Sequence, residues 1–195
     1  MHKELIAVME NVNVKNILDG IIAAIVDCYK NNGKVVVFGN GGSAADAQHI
    51  AAELQGKLKI KRPGLAAIAL STNTSTITAV GNDFGFDFIF EKQVEGFVQN
   101  GDVVIGISTS GNSPNILNGL VQAKKQGAIV VFFTGKTGGM THGVSQKTRL
   151  IDFELNIPTT STQRIQEGHE LCYHTICEAV EEEIFGATNN NGGKR

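Results

Sequence analysis

The sequence predicts an α/β fold, a single domain built on a parallel, doubly wound sheet. Short apolar runs alternate with helical stretches along most of the chain, and the crossovers between parallel strands are expected to be right-handed. Four of the five runs are nearly continuous in apolar residues, as strands covered on both faces must be. Glycine and hydroxyl residues gather after three of them, where open α/β sheets place their ligands.

The elements follow in order. Residues 1–33 form an N-terminal helical segment, with apolar positions at Leu5, Ile6, Met9, Val12, Ile17, Leu18, Ile21, Ile22, Ile25, Val26 and Tyr29 recurring near a 3.6-residue period. Asn31-Asn32-Gly33 ends it. No strand precedes this segment, so its broad apolar stripe is expected to pack against a partner subunit. The five strands are expected at Lys34–Phe38, Ala66–Leu70, Asp102–Ile107, Ile129–Phe133 and Leu150–Leu155. Helices are expected between them at Ala44–Leu58, Asp87–Val98, Pro114–Gln126 and, shorter, near Thr141–Gln146. A last helix runs from Ser161 or Thr162, a hydroxyl suited to cap it, to Ile184. The main domain thus spans 34–186. The tail 187–195, ATNNNGGKR, is polar and rich in Gly and Asn, and is expected to be disordered.

Bulk properties exclude several classes of function. The chain of 195 residues carries a formal charge of -2, which argues against nucleic-acid binding through a broad basic surface. Lys57, Lys59, Lys61 and Arg62 form the one dense basic patch, read as a solvated loop. No apolar run approaches the ~20 residues that a membrane helix needs, and the N-terminus has no secretory pattern. Cys28, Cys172 and Cys177 are odd in number and lack C-x-x-C spacing. Buried thiols in a reducing, cytoplasmic compartment are therefore expected rather than disulfides.

The loops point to a phosphorylated ligand. The first strand ends in Gly39-Asn40-Gly41-Gly42-Ser43, the second in Ser71-Thr72-Asn73-Thr74-Ser75-Thr76, and the third in Ser108-Thr109-Ser110-Gly111-Asn112-Ser113-Pro114. Hydroxyls donate to phosphate oxygens, glycines admit close approach of backbone N–H groups, and the following helix N-terminus adds a favourable dipole. Pro114 fits the first turn of its helix with Ser113 as cap. One such loop is an ordinary turn; three at one sheet edge make a site. Neither the P-loop pattern nor a complete G-x-G-x-x-G is present. A hydroxyl cradle without an Arg or Lys clamp suits a phosphomonoester on a small sugar.

Five stretches together carry a resemblance: GNGGSAADAQHIAAEL (Gly39–Leu54), RPGLAAIALST (Arg62–Thr72), AVGNDFGF (Ala79–Phe86), GDVVIGISTSGNSPN (Gly101–Asn115) and RIQEGHELCYH (Arg164–His174). In this combination the chain resembles the phosphoheptose (sedoheptulose 7-phosphate) isomerases of the sugar-isomerase (SIS) domain superfamily, from about Lys3 to Phe185. The resemblance implies a flavodoxin-like five-stranded sheet and a homotetramer with sites between subunits. It also implies an aldose–ketose isomerisation whose heptose 7-phosphate product feeds bacterial surface polysaccharide, lipopolysaccharide or capsule. Carried over to this sequence, it places Asn40, Gly41, Gly42 and Ser43 in a first substrate loop, and Asn82 and Asp83 in another. Ser108, Thr109, Ser110 and Ser113 match the phosphate loop. Glu53 and His174 match an acid/base pair, and His49, Glu53, Gln166 and His174 match the ligands of a divalent metal, usually zinc; Glu53 and Gln166 are also placed against the substrate.

The spacing can be checked against that chemistry. Moving a proton between adjacent carbons through an enediol requires a base and a means of stabilising the enediolate oxygen. Glu53 suits the first role, His174 suits opening of the cyclic sugar, and a metal would act as a Lewis acid. His49 and Glu53 stand at i and i+4, so both point into one space. Outside its motif such a pair reads as an ordinary surface contact. Gln166 and His174 are separated by ~12 Å along a regular helix, so both reach one metal only if Gln166 lies at an irregular helix start or the two come from different subunits. The second arrangement is expected. His169 reads as structural, His2 and His142 as surface residues, and Phe84, Phe86, Phe88 and Phe90 as core or interface. Two rival functions remain: a non-catalytic SIS-domain binding protein associated with the replication initiator, whose members lack the carboxylate and final histidine, and a pentose-phosphate isomerase, which commonly carries additional regulatory domains.

Overall fold

A computed structural model of the chain describes residues 12–139 and 150–189. Helix α1 (Val12–Lys30) leads into strand β1 (Val35–Gly39), helix α2 (Gly42–Gln55), strand β2 (Ala67–Ala69) and helix α3 (Thr74–Asp83). A 3-10 turn at Phe86–Phe88 precedes helix α4 (Glu91–Phe97). Strand β3 (Val103–Ser108), helix α5 (Pro114–Lys125), strand β4 (Ile129–Gly135), strand β5 (Phe153–Ile157) and helix α6 (Thr162–Asn189) complete the order. The five strands form one sheet in the order β2-β1-β3-β4-β5, parallel at every junction. That order is the flavodoxin-like arrangement, with its switch point between β1 and β3.

Strand alternation divides the core in two. Val35, Val37, Val103, Ile105, Val131 and Phe133 point to one face, where α1, α2 and α6 cover them. Val36, Phe38, Val104, Val130 and Phe132 point to the other, against Ile89, Phe90, Val94, Ile116 and Leu120. Phe90 stacks on Phe38 with ring centroids 4.9 Å apart. Phe84, Phe86 and Phe88 remain exposed, so the Phe-rich stretch divides between core and surface.

The apolar stripe of α1, expected to pack against a partner subunit, is used in its described part within the chain itself. Leu18, Ile21 and Ile25 are buried in the chain's own core. α1 packs on α6 and β5, covering a sheet formed later in the sequence. Leu5, Ile6 and Met9 lie outside the described residues. The helix ends as expected, with Asn32 at φ 60° and the Gly33 N–H donating to the Cys28 carbonyl at 2.9 Å.

Other boundaries shift for local reasons. α2 stops at Gln55 rather than Leu58, because the N–H groups of Leu58, Lys59 and Ile60 all donate to the Glu181 carboxylate. α3 is not among the helices expected from the sequence; its stretch TSTITAVGND has no fully buried residue, and the helix is started by the Asn73 side chain accepting from the Thr76 N–H at 3.0 Å. β5 begins at Phe153, because Asp152 accepts instead from the Val130 N–H and from Lys124. α6 continues through Asn189, into the segment expected to be disordered. The short helix expected near Thr141–Gln146 lies outside the described residues. No described helix is long and apolar enough to cross a membrane, and Cys28, Cys172 and Cys177 are buried free thiols.

Candidate active site

Two groups of side chains are assembled, one at the sheet edge and one along the helices behind it. At the edge, Asn40 leaves the end of β1 and pairs its amide with that of buried Asn115 through two hydrogen bonds of 2.9 Å. Asn115 opens α5, so this pair locks the loop after β1 to the loop after β3. Gly41 adopts φ 55° and precedes α2 with no side-chain cap, which leaves backbone N–H groups at the helix start. Ser43 is buried within the first turn.

The loop after β3 presents a hydroxyl cluster. Ser108 Oγ lies 3.4 Å from Ser110 Oγ and 3.1 Å from Ser113 Oγ, and the Asn112 N–H donates to Ser110 Oγ at 3.3 Å. Thr109 is half-buried beside them. Ser113 does occupy the N-cap position of α5, but its hydroxyl turns to Ser108 rather than to the helix N–H groups. Gly111, at φ 68°, lies so close to Gly138 and Gly139 that a Cβ would overlap their backbone. The loops after β3 and β4 therefore brace one another.

The second group lies between α2 and α6, which run side by side in matched register. Gln166 faces Gly42, Tyr173 bonds to His49, and Arg62 and Lys59, beyond the end of α2, reach Glu181 and Glu178. On this frame His49, Glu53 and His174 bring one ligand atom each within 4.8 Å of one another. His49 Nε2 lies 3.1 Å from Glu53 Oε1, and the His49 and His174 rings meet edge-on at 4.9 Å between centroids. Two imidazoles and a carboxylate are a donor set that a borderline cation such as zinc favours. The residues fit the metal that the resemblance implies.

Gln166 stands apart from this group. It lies inside regular helix, with the Ile165 N–H already donating to Ser161, so an irregular start does not bring it toward His174. Its amide rests against Gly42 at the sheet edge, ~12 Å along the axis from His174. Asn82 and Asp83 sit exposed at the end of α3 and bond to each other at 2.8 Å. Among the described residues no hydrogen bond joins them to either group.

Sequence reasoning missed three residues here. Arg62, read as part of a solvated basic loop, is 2% exposed at its side chain and donates from Nη1 to the Leu54 carbonyl and from Nη2 to the Glu53 carbonyl. Asp46, one turn before His49, has Oδ2 buried without a partner; burial, reinforced by Glu170 and opposed by His49, pushes its carboxyl up to about 6. Tyr173 is buried, and burial foremost, with Asp46, Glu170 and Glu53 nearby, raises its phenol well above the ordinary range. Hydrophilic letters in a loop or helix do not reveal burial; the D-x-x-H step of Asp46 and His49 was the one available signal. His169 is structural as expected: it is buried, its Nε2 bonds the Thr134 carbonyl at 2.9 Å, and burial holds it neutral with a value of about 4.

Comparison with known proteins places the chain in a family. The SIS domain family model matches residues 2–135. A phosphoheptose isomerase of Sulfurimonas denitrificans is 47% identical over 179 residues, 92% of this chain and 89% of that protein. This chain belongs to the phosphoheptose isomerase family of SIS-domain proteins. Another relative, the phosphoheptose isomerase of Citrifermentans bemidjiense, is 48% identical over 168 residues, covering 86% of this chain and 84% of its own. The solved phosphoheptose isomerase of Francisella tularensis superposes with a TM-score of 0.85 at 36% identity, covering 92% of each chain. That of Neisseria gonorrhoeae gives 0.80 at 40% identity, over 92% of this chain and 94% of the other. Within this family fold, the assembled His49–Glu53–His174 group is the candidate functional centre.

Proposed function

We infer that the chain is an aldose–ketose isomerase that converts sedoheptulose 7-phosphate to D-glycero-D-manno-heptose 7-phosphate. The observation that carries this reading is the convergence of Glu53 and His174, from different helices, on one point beside His49. A non-catalytic binding protein has no need of that convergence. The product would enter nucleotide-activated heptose synthesis for a bacterial surface polysaccharide, and the buried free thiols suit a cytoplasmic enzyme.

Each group has a chemical task. The hydroxyls of Ser108, Thr109, Ser110 and Ser113, with the N–H groups opening α2 and α5, hold the phosphate. Ser43, Asn40, Gly41 and Gly42 line the neighbouring wall, with Gln166 against Gly42, and Asn82 and Asp83 bind sugar hydroxyls. His174 exchanges a proton with the ring oxygen as the cyclic sugar opens. Glu53 removes the proton from one carbon and returns it to its neighbour. A zinc ion held by His49, Glu53 and His174 would supply Lewis-acid polarisation of the sugar oxygens, and Gln166 would join it as a further ligand only from a neighbouring subunit, since within one chain it lies against Gly42.

The distance between the groups favours shared sites. Glu53 lies about 16 Å along α2 from Gly42, farther than a seven-carbon sugar phosphate reaches from phosphate to carbonyl. A homotetramer whose neighbouring subunits complete each site reconciles the phosphate loop with the acid/base pair. Incubation with sedoheptulose 7-phosphate, followed by NMR, tests the reading. The expected result is a growing aldose signal; no conversion by folded, zinc-supplied protein would overturn it.

A further inference from the structure

The His49 side chain is 41% open, against 19% for Glu53. Packing alone therefore does not fix the orientation of its ring. Two hydrogen bonds do. Nε2 lies 3.1 Å from Glu53 Oε1, and Nδ1 lies 2.9 Å from the hydroxyl of Tyr173, itself 2% exposed. The Tyr173 ring also packs against both imidazoles, with centroids 5.4 Å from His49 and 4.8 Å from His174. Rotating the His49 ring by half a turn would break both bonds at once.

We propose that Tyr173 is a positioning residue whose hydroxyl sets the ring plane and tautomer of His49, leaving Nε2 as the nitrogen that faces Glu53 and His174. The proposal rests on the metal reading given above. A phenol suits the task because it both donates and accepts, whereas a carboxylate only accepts. Without a cation, Nε2–H donates to the Glu53 carboxylate and the Tyr173 hydroxyl donates to Nδ1. When the Nε2 lone pair is given to a cation, the proton resides on Nδ1 and Tyr173 accepts it; a ligating histidine needs such a partner for its second nitrogen. One proton changes its place on the ring, and none is gained or lost.

The test uses the full-length protein labelled with 15N-histidine, titrated with zinc alone, beside the Tyr173→Phe variant, which keeps the ring and removes the hydroxyl. His49→Gln assigns the His49 signals. In the wild type, the His49 ring nitrogens are expected to change from the Nε2–H to the Nδ1–H pattern as zinc is added. In Tyr173→Phe, zinc affinity measured by chelator competition should fall by about 10- to 100-fold, and the zinc-free His49 signals should move. Affinity within about two-fold of wild type, with unchanged His49 signals, would overturn the proposal. Should the variant fail to fold, a zinc-loaded wild type that keeps Nε2 protonated overturns it equally. A wild type that takes up no zinc removes the metal reading together with the proposal, and the wild-type titration alone distinguishes that case from failure of Tyr173.

Discussion

The Arg62 guanidinium donates from Nε to Glu181 Oε1 at 2.9 Å, with each side chain only 2% exposed. Glu181 also accepts from the N–H groups of Leu58, Lys59 and Ile60 at 3.0, 2.7 and 2.9 Å. Arg62 in turn donates to the Glu53 and Leu54 carbonyls at the end of α2. The pair thus ties the helix that carries His49 and Glu53 to the helix that carries His174.

Breaking this tie should be costly. Arg62→Met leaves a buried carboxylate without its counter-charge, and a loss of about 3–5 kcal/mol is expected in denaturant unfolding. The pair also makes stability depend on acid. Burial alone would raise the Glu181 carboxyl, but the three N–H donors and Arg62 outweigh it and hold it at about 2. A depressed value in the folded state means that the contribution is present in full above the ordinary glutamate range near 4.5 and is lost as pH falls toward 2. Unfolding midpoints measured from pH 6 downward should fall less steeply in Glu181→Gln than in wild type over about pH 4.5 to 2.

Glu53→Gln keeps the shape of the side chain and removes the base. Steady-state kinetics should show kcat lower by about 10² to 10⁴, with the melting temperature little changed. Near-normal turnover would mean that another group moves the proton.

Removing metal should remove activity. Dialysis against a strong chelator is expected to lower turnover by about 10-fold or more, and added zinc should restore it. Metal content measured by mass spectrometry should fall and return in parallel. Full activity in protein shown to contain no metal would contradict this.

Gly42→Ala probes the sheet-edge wall. A Cβ at this position would overlap the Gln166 amide, which is the far end of a flexible side chain and can swing away. Stability should change by less than about 1 kcal/mol, while kcat/KM for the sugar phosphate drops as Gln166 leaves its place. Unaltered kinetics would show that this amide has no part in the reaction.

Much of the fold was legible because strand burial writes itself into the sequence. Runs such as VVVF and IVVFF admit little besides a strand covered on both faces, and the hydroxyl loops follow those strands. Legibility failed where burial is low or the partner is distant. α3 has no fully buried residue and so leaves no apolar stripe to read, and Arg62 looks like any loop arginine until Glu181, far along the chain, closes over it. The α1 stripe was visible, but the sequence could not say what it covers.

Local pattern by itself determined the parallel α/β architecture, the three hydroxyl-rich edge loops and the i, i+4 pairing of His49 with Glu53, because each depends on neighbours within a few residues. The family resemblance implied that His174 joins that pair, and the tertiary structure brings it there; tertiary structure alone decided that Gln166 lies against Gly42 instead, and that Tyr173 and Arg62 brace the centre. Those relationships depend on the register between α2 and α6, which is fixed by side-chain packing across the core between segments more than a hundred residues apart.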